Sequence, residues 1–301
     1  MSMDDLIQLV KEKNNPTIAG LDPKLDFIPS FLIQEAFAEY GRTLKGAAEA
    51  IWQFNKGLID ALYEVVPAVK PQSAYYEMYG FEGVRVLAQT IDYAKSKGLF
   101  VVVDAKRNDI GTTASAYATA YLGRTDLGEG VSEQAFGADC VTVNPYLGTD
   151  GITPFLFMGK SIFVLAKTSN PSSGELQDKK IENVSVYELI GDLINRWGAD
   201  SIGKNGYSDV GAVVGATYPS QLADLRKRLP ATYFLVPGYG AQGGKAEDIA
   251  KGFDKNGLGA IINASRSIMC AYQKADCEEK DFALAAKAEA IRMRDEIISF
   301  L

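Results

Sequence analysis

The sequence contains no histidine among its 301 residues. This excludes Ser-His-Asp triads, histidine-ligated zinc and histidine acid–base catalysis within the chain. Proton transfer must therefore use Lys, Asp, Glu, Tyr or Cys side chains. Cysteine is also scarce, because Cys140, Cys270 and Cys277 are the only three and they lack metal-site spacing. We therefore expect no metal site built from histidine or cysteine, and a reducing, cytoplasmic setting.

The chain has no excess of basic residues and no long hydrophobic run. Lys and Arg total 31 against 38 Asp and Glu, which gives a net charge of −7. A nucleic-acid-binding protein usually carries a basic stripe, so we do not expect a nucleic-acid partner. The first residues lack the basic start and apolar core of a signal peptide. No apolar run approaches the roughly 18 residues that span a bilayer, so we expect no membrane association.

Eight short apolar runs are spread along the chain, and polar residues follow each of them. From the second run onward, helical patterns fill the intervals, which indicates βαβ units and a parallel sheet. Eight such strands predict one (β/α)8 TIM barrel domain over residues 1–301. The alternative is an open doubly wound sheet, but no Gly-x-Gly-x-x-Gly motif follows the first strand. The predicted strands are Thr17–Leu21, Val65–Val69, Phe100–Asp104, Asp139–Val143, Ser161–Ala166, Val210–Val214, Tyr233–Val236 and Gly259–Ile262.

Charged residues are concentrated at the end of the third predicted strand. Its run of four apolar residues is typical of a strand buried on both faces, and Asp104, Lys106 and Asp109 follow. Because side chains alternate along a strand, Asp104 and Lys106 are expected on the same face. A threonine, Thr112 or Thr113, is the expected N-cap of the next helix. The alternative to a site is a salt-bridged strand end that faces solvent.

A second lysine is expected to join this cluster. Lys70 follows the second predicted strand, which neighbours the third in a barrel. The alternating Lys–Asp–Lys–Asp array would pair each buried charge with an opposite one. Taken alone, Lys70 is better explained as a lysine whose ammonium group reaches solvent.

Two segments near the C-terminal end predict a phosphate site. Pro237–Gly244 contains four glycines, whose backbone N–H groups can approach an anion closely. Arg266 follows the eighth strand, and the loops after strands seven and eight often bind phosphate in barrels. Gln242 adds an amide. Two ordinary glycine-rich turns and a surface arginine are the alternative.

Polar residues after strands one and five are candidates for binding the rest of a ligand. Asp22 is a plausible acceptor for sugar hydroxyls, and Thr168 and Ser169 could bind the polar edge of a ring. Turn capping explains each of them equally well when it is taken alone. The segment from Asn170 to Glu182 is predicted to be an irregular loop that covers the catalytic rim.

Together, these residues resemble the orotidine 5′-phosphate decarboxylase family over essentially the whole chain. The resemblance rests on Lys70, the motif from Asp104 to Gly111, the glycine-rich segment and Ser265-Arg266. The length of the chain, Gly20–Pro23 and Thr168–Pro171 resemble the longer bacterial-type branch.

The resemblance implies a cofactor-free decarboxylase that converts orotidine 5′-monophosphate to uridine 5′-monophosphate in de novo pyrimidine biosynthesis. It implies that Lys106 protonates C6 of the ring, with Asp104 near the substrate carboxylate and Lys70 between Asp104 and the ribose. It further implies a homodimer with shared active sites. The other implied contacts are the partner's Asp109 with Thr113 beside it, Ser169 at the pyrimidine, and Gln242 and Arg266 at the phosphate. Asp22, Gly243 and Gly244 complete the predicted substrate-binding residues.

Three other functions remain open from the residues alone. One is a Schiff-base aldolase with Lys106 as nucleophile, although flanking carboxylates disfavour the neutral amine that it needs. Another is a sugar-phosphate decarboxylase with a divalent metal on the acidic residues, against which Lys70 argues. The third is a non-catalytic phosphate-binding protein, in which a buried charge array would be costly without a use.

Overall fold

The computed structural model describes residues 1–157, 159–239 and 244–301. Eight parallel strands form a closed barrel in the order β1-β12-β11-β10-β7-β6-β3-β2, and two antiparallel hairpins, β4-β5 and β8-β9, lie outside it. The strands are β1 Thr17–Leu21, β2 Ala68–Pro71, β3 Phe100–Arg107, β4 Thr125–Gly128, β5 Val131–Glu133, β6 Cys140–Val143, β7 Ser161–Lys167, β8 Lys180–Ile181, β9 Val184–Ser185, β10 Val210–Val214, β11 Phe234–Val236 and β12 Ala260–Ala264.

Helices occupy the intervals between the barrel strands except between β6 and β7, where the described residues form only the 3-10 turns Thr149–Gly151 and Thr153–Phe155, so the prediction of a helix in every interval is wrong there. Local capping fixes several starts: the carboxylate of Glu188 accepts a hydrogen bond from Ser185 N at 2.8 Å, and Thr43 Oγ1 accepts one from Gly46 N at 3.1 Å. The helices are α1 Met3–Glu12, α2 Ser30–Tyr40, α3 Leu44–Leu62, α4 Ala74–Glu77, α5 Gly80–Ser96, α6 Gly111–Leu122, α7 Val186–Gly198, α8 Pro219–Arg228, α9 Ala246–Ile249, α10 Arg266–Met269 and α11 Phe282–Ile298. Within the described ranges, no helix is long and apolar enough to cross a membrane.

The (β/α)8 prediction is confirmed, with all eight barrel strands near their predicted positions. Strand β3 runs beyond the predicted end at Asp104 to Arg107, which keeps Asp104 and Lys106 on the strand and leaves Asp109 beyond it. The predicted threonine N-cap of α6 is wrong, because the helix already begins at Gly111 and Ile110 is its N-cap. The predicted loop from Asn170 to Glu182 contains a 3-10 turn at Pro171–Glu175 and the short strand β8.

The buried core has two parts. A layer of apolar side chains lies between the barrel and its helices. The second part fills the barrel interior and includes Phe100, Phe163 and Tyr233, with Leu6 and Ile7 of α1 packed against them. Helix α1 therefore covers the amino end of the barrel, and the carboxyl ends of the strands remain for a site.

Candidate active site

The carboxylate of Asp104 lies at the centre of a polar cluster at the carboxyl end of the barrel. Its Oδ2 accepts hydrogen bonds from Lys70 Nζ at 3.0 Å and Gln72 Nε2 at 2.9 Å. Its Oδ1 accepts hydrogen bonds from Lys106 Nζ at 2.7 Å and Thr142 Oγ1 at 2.8 Å. Four donors therefore satisfy this buried carboxylate and fix its orientation.

The buried charges stabilise one another. Burial alone would raise the pKa of Asp104, but the charges of Lys70 and Lys106, with hydrogen bonds from Lys106 and Thr142, hold it well below its usual range. Burial would lower the pKa of Lys70, but attraction to Asp104 and Asp22 outweighs it and leaves that pKa raised. Lys70 Nζ lies 3.9 Å from Asp22 Oδ1, so the order in one chain is Asp22–Lys70–Asp104–Lys106.

Lys106 has an unusual backbone. Its φ is +49°, in the left-handed region that non-glycine residues seldom adopt. Its N–H donates to Thr142 Oγ1 at 2.9 Å, which links this position to the neighbouring strand β6. The distortion places the ammonium within 2.7 Å of Asp104 while the side chain stays partly exposed. Strained backbone of this kind is concentrated at functional sites.

The cluster lies in a cavity of about 540 Å³, a size that suits a small-molecule ligand. Thr168 and Ser169 line it from the end of β7, and Asp22 from the end of β1. Asn263 of β12 also lines it. The Oδ1 atoms of Asp22 and Asn263 are buried and accept no hydrogen bond from the residues described. These two acceptors are available to donors on a polar ligand.

A second cavity of about 660 Å³ adjoins the first and shares Tyr239, Arg266 and Ser267 with it. Gly244 lines this second cavity, and its N–H donates to Gly238 O at 3.1 Å. The predicted phosphate residues Gln242 and Gly243 lie outside the described residues. Of the predicted phosphate site, the structure therefore brings Arg266 to both cavities and Gly244 to the second cavity only.

Tyr239 connects the start of the glycine-rich segment to the C-terminal helix. Its hydroxyl donates to Glu296 Oε2 at 2.7 Å, and Arg292 Nη1 donates to the same oxygen at 2.7 Å. Glu289 also pairs with Arg292, at 2.7 Å. Helix α11 thus holds one end of the segment that carries the predicted phosphate ligands.

Two predicted site residues are not brought to the cavity of their own chain. Asp109 Oδ1 accepts a hydrogen bond from Ile110 N at 2.8 Å, and Thr113 is exposed on α6. Neither is among the residues that line the cavity. The charged cluster formed by a single chain therefore contains Asp22, Lys70, Asp104 and Lys106 but not Asp109.

Gln72, Thr142 and Asn263 belong to the site but were not predicted as site residues. Gln72 pairs with Asp104 as an extension of the β2–β3 register, and Thr142 comes from the middle of β6. A polar residue inside an otherwise apolar strand was the available signal for Thr142 and Asn263. Their roles depend on strand register, which the sequence alone does not fix.

Comparison with protein families gives one match that covers most of the chain. The family described as "Orotidine 5′-phosphate decarboxylase / HUMPS family" matches residues 48–279. Those residues include Lys70, Asp104, Lys106, Ser169 and Arg266.

Similar proteins match over nearly their whole lengths. A Caldicellulosiruptor bescii protein named orotidine 5′-phosphate decarboxylase is 42% identical over 291 residues, covering 94% of this chain and 95% of the relative. A Clostridium tetani protein of the same name is 42% identical, covering 99% of this chain and 98% of the relative. The solved structure of Leishmania donovani OMP decarboxylase is 30% identical with a TM-score of 0.75, covering 100% of this chain and 98% of the other.

Proposed function

The chain belongs to the orotidine 5′-phosphate decarboxylase family, and from that premise we propose that its carboxyl-end cavity converts orotidine 5′-monophosphate to uridine 5′-monophosphate and carbon dioxide. This is the last step of de novo pyrimidine synthesis. The observation that carries the proposal is the Asp104 carboxylate, held between the ammonium groups of Lys70 and Lys106 at 3.0 and 2.7 Å.

Lys106 stabilises and then protonates the carbanion. The bond between C6 and the carboxylate carbon breaks, and its electron pair stays on C6 as carbon dioxide leaves. No adjacent carbonyl delocalises this charge, so a fixed ammonium group is the main source of stabilisation. The proton of Lys106 then forms the new C6–H bond. At the upper end of known enzymes, such catalysis lowers the barrier by on the order of 20 kcal/mol.

The neighbouring charges orient the reacting groups. Asp104 remains ionised near the substrate carboxylate, because its pKa lies well below its usual range. Lys70 bridges Asp104 and the ribose, and Asp22 Oδ1, which accepts no hydrogen bond from the described residues, accepts a ribose hydroxyl. The reaction needs no metal or organic cofactor. Lys70 supports this, since its ammonium lies between Asp22 and Asp104, where a metal would otherwise bridge them.

The remaining substrate contacts lie around the cavity rim. Ser169 binds the pyrimidine, which its position on the cavity wall supports. Arg266, Gly244, Gln242 and Gly243 bind the phosphate, and the place of Arg266 at the junction of the two cavities supports this.

The active form is a homodimer in which Asp109 and Thr113 reach the partner's site. Large apolar side chains are exposed beside them, after three neighbouring strands. They are Met78, Phe81, Ile110, Tyr117, Tyr146 and Leu147. Residues 1–301 act as one catalytic domain in the cytoplasm, without a nucleic-acid partner. The single closed barrel, the three free cysteines and the acidic net charge support these points.

An absorbance assay with orotidine 5′-monophosphate tests the function directly. We expect turnover to the uridine product that is unchanged by excess chelator. Loss of turnover in chelator would instead support a metal-dependent decarboxylase. Trapping of substrate on Lys106 by borohydride would support an aldolase, and binding without turnover would support a phosphate-binding protein.

A further inference from the structure

Lys167 is a buried cation beside the site that the proposed chemistry does not use. It ends β7 and is 0% exposed. Its Nζ donates to Asp178 Oδ1 at 2.8 Å and to Ser173 Oγ at 3.1 Å, and it lies 4.5 Å from the ring centroid of Tyr218. Both acceptors belong to the loop that follows β7. That loop therefore satisfies a charge that would be costly to bury alone.

The same loop holds Thr168 and Ser169 on the cavity wall. Gln177, adjacent to the anchored Asp178, accepts a hydrogen bond from Thr168 N at 2.9 Å and donates one to Thr168 Oγ1 at 2.7 Å. Thr217 Oγ1 donates to Ser169 O at 3.3 Å. The anchor at Asp178 is thus connected through Gln177 to the residues that line the cavity.

We propose that Lys167 is a positioning residue, whose buried ammonium folds residues 168–178 into the turn that presents Ser169 to the pyrimidine. The proposal rests on the proposed function for the contact between Ser169 and substrate. Opening the turn would remove both acceptors from a buried ammonium, so the charge couples the folding of the loop to the geometry of the cavity wall. The cavity lining includes Thr168 and Ser169 but not Lys167, so its influence is indirect.

Hydrogen exchange of the whole protein tests the folding of the loop. Lys167→Met should increase exchange at the backbone amides of residues 169–178. Asp178→Asn should have a similar effect with little risk to the fold, because Asp178 is partly exposed. Lys160→Met is the matched control. Lys160 immediately precedes β7, so it lies at the opposite end of that strand from Lys167. Its Nζ donates to Ala138 O at 2.5 Å. Unchanged exchange in the loop of both test variants would overturn the proposal.

A double-mutant cycle tests the connection to Ser169. Ser169→Ala should lower kcat/KM by roughly three- to tenfold, as expected for one lost hydrogen bond. Lys167→Met should cause a similar loss, and adding it to Ser169→Ala should cause little further loss. Lys160→Met should leave kcat/KM unchanged. A purely structural lysine would lower stability without this non-additivity.

These measurements distinguish the positioning role of Lys167 from the contact between Ser169 and the pyrimidine. Multiplicative losses in the double variant, or full activity in Lys167→Met, would overturn the positioning role. Full activity in Ser169→Ala would refute the pyrimidine contact of the proposed function. In that case, the exchange measurement still decides whether Lys167 folds the loop.

Discussion

Asp104 draws its four hydrogen-bond donors from three separate segments of the barrel. Lys70 and Gln72 come from the end of β2, Lys106 from β3 itself and Thr142 from β6. Both carboxylate oxygens are therefore fixed by neighbours on either side of the strand. Loss of any one donor leaves three, but loss of Asp104 leaves Lys70, only 4% exposed, without its nearest counter-ion.

We predict that Asp104→Asn lowers the free energy of unfolding at pH 7 by about 3 kcal/mol, as is usual when a buried charge loses its partner. Because the pKa of Asp104 is depressed in the folded state, its stabilisation is present above its unfolded pKa and is lost as pH falls. Urea unfolding at several pH values should show that the difference in free energy of unfolding between Asp104→Asn and wild type becomes smaller below about pH 5. The exposed-residue control Asp276→Asn should show no such narrowing, and a pH-independent difference would contradict the electrostatic explanation.

The backbone of Lys106 gives a second prediction. Lys106→Ala and Lys106→Gly should both lower turnover by at least about a hundredfold, because each removes the proton donor. Glycine adopts a φ of +49° without strain, so Lys106→Gly should be more stable than Lys106→Ala by roughly 1 kcal/mol. Steady-state absorbance and thermal unfolding measure the two effects, with the exposed Lys45→Ala as control. Substantial turnover in both variants would remove Lys106 from the proposed role.

At the scale of single residues, the sequence identifies the charged members of the site more readily than the neutral ones. Lys70, Asp104 and Lys106 are predictable because charges directly after a buried strand require partners. Thr142 and Gln72 are ordinary polar residues until the β3–β6 and β2–β3 registers bring them to Asp104. The positive φ of Lys106 has no signature in the sequence, since lysine does not favour it.

At the scale of elements, the apolar runs predict the eight barrel strands because each is short and buried on both faces. The hairpin β4-β5 was not predicted, since its residues are largely exposed and lack a clear alternation. The start of α6 was predicted wrongly because Gly111 enters the helix with a φ of +53°, ahead of the threonines.

The phosphate-binding elements give a prediction that separates binding from chemistry. Arg266→Ala should lower kcat/KM for orotidine 5′-monophosphate by roughly a hundredfold, the usual effect of losing hydrogen bonds to a charged group. It should affect the substrate without phosphate much less, because that substrate has already lost the contact. Lys274→Ala, which removes a cation that lines the adjoining cavity, is the control. Equal losses on both substrates would contradict the assignment of Arg266 to the phosphate.

At the scale of the whole molecule, the exposed apolar side chains follow the same strands, β2, β3 and β6, that supply Lys70, Asp104, Lys106 and Thr142 to the charged cluster. Phe81 and Tyr146 are 80% and 79% exposed and follow β2 and β6, the barrel strands on either side of β3, which Asp109 follows. In a two-fold dimer, each site would receive the Asp109 and Thr113 of the other chain. Only the family resemblance predicts this shared site, since nothing in the motif from Asp104 to Gly111 states which chain it serves.

Mixing two inactive variants tests the shared site. Asp109→Ala and Arg266→Ala homodimers should each be nearly inactive. In their mixed dimer, one site carries both defects and the other carries neither. Random exchange makes about half the dimers mixed, and half of their sites are intact, so roughly a quarter of wild-type activity should return.

A second mixture provides the control. Lys106→Ala and Arg266→Ala both affect the home site, so each site of their mixed dimer carries one defect and no activity should return. Mass spectrometry establishes that subunits have exchanged. If exchange occurs and the Asp109→Ala mixture stays inactive, Asp109 serves its own chain.

The filled interior of the barrel also determines how the gaseous product departs. Ile18, Phe100, Phe163 and Tyr233 pack inside the strands, and α1 lies across the amino end. The described residues therefore seal the route through the barrel axis. Carbon dioxide released at C6 must leave by the mouth through which the nucleotide entered, past Lys106 and the residues that follow β7. Because entry and exit share this mouth, the gas and the nucleotide product must both leave before the next substrate molecule binds.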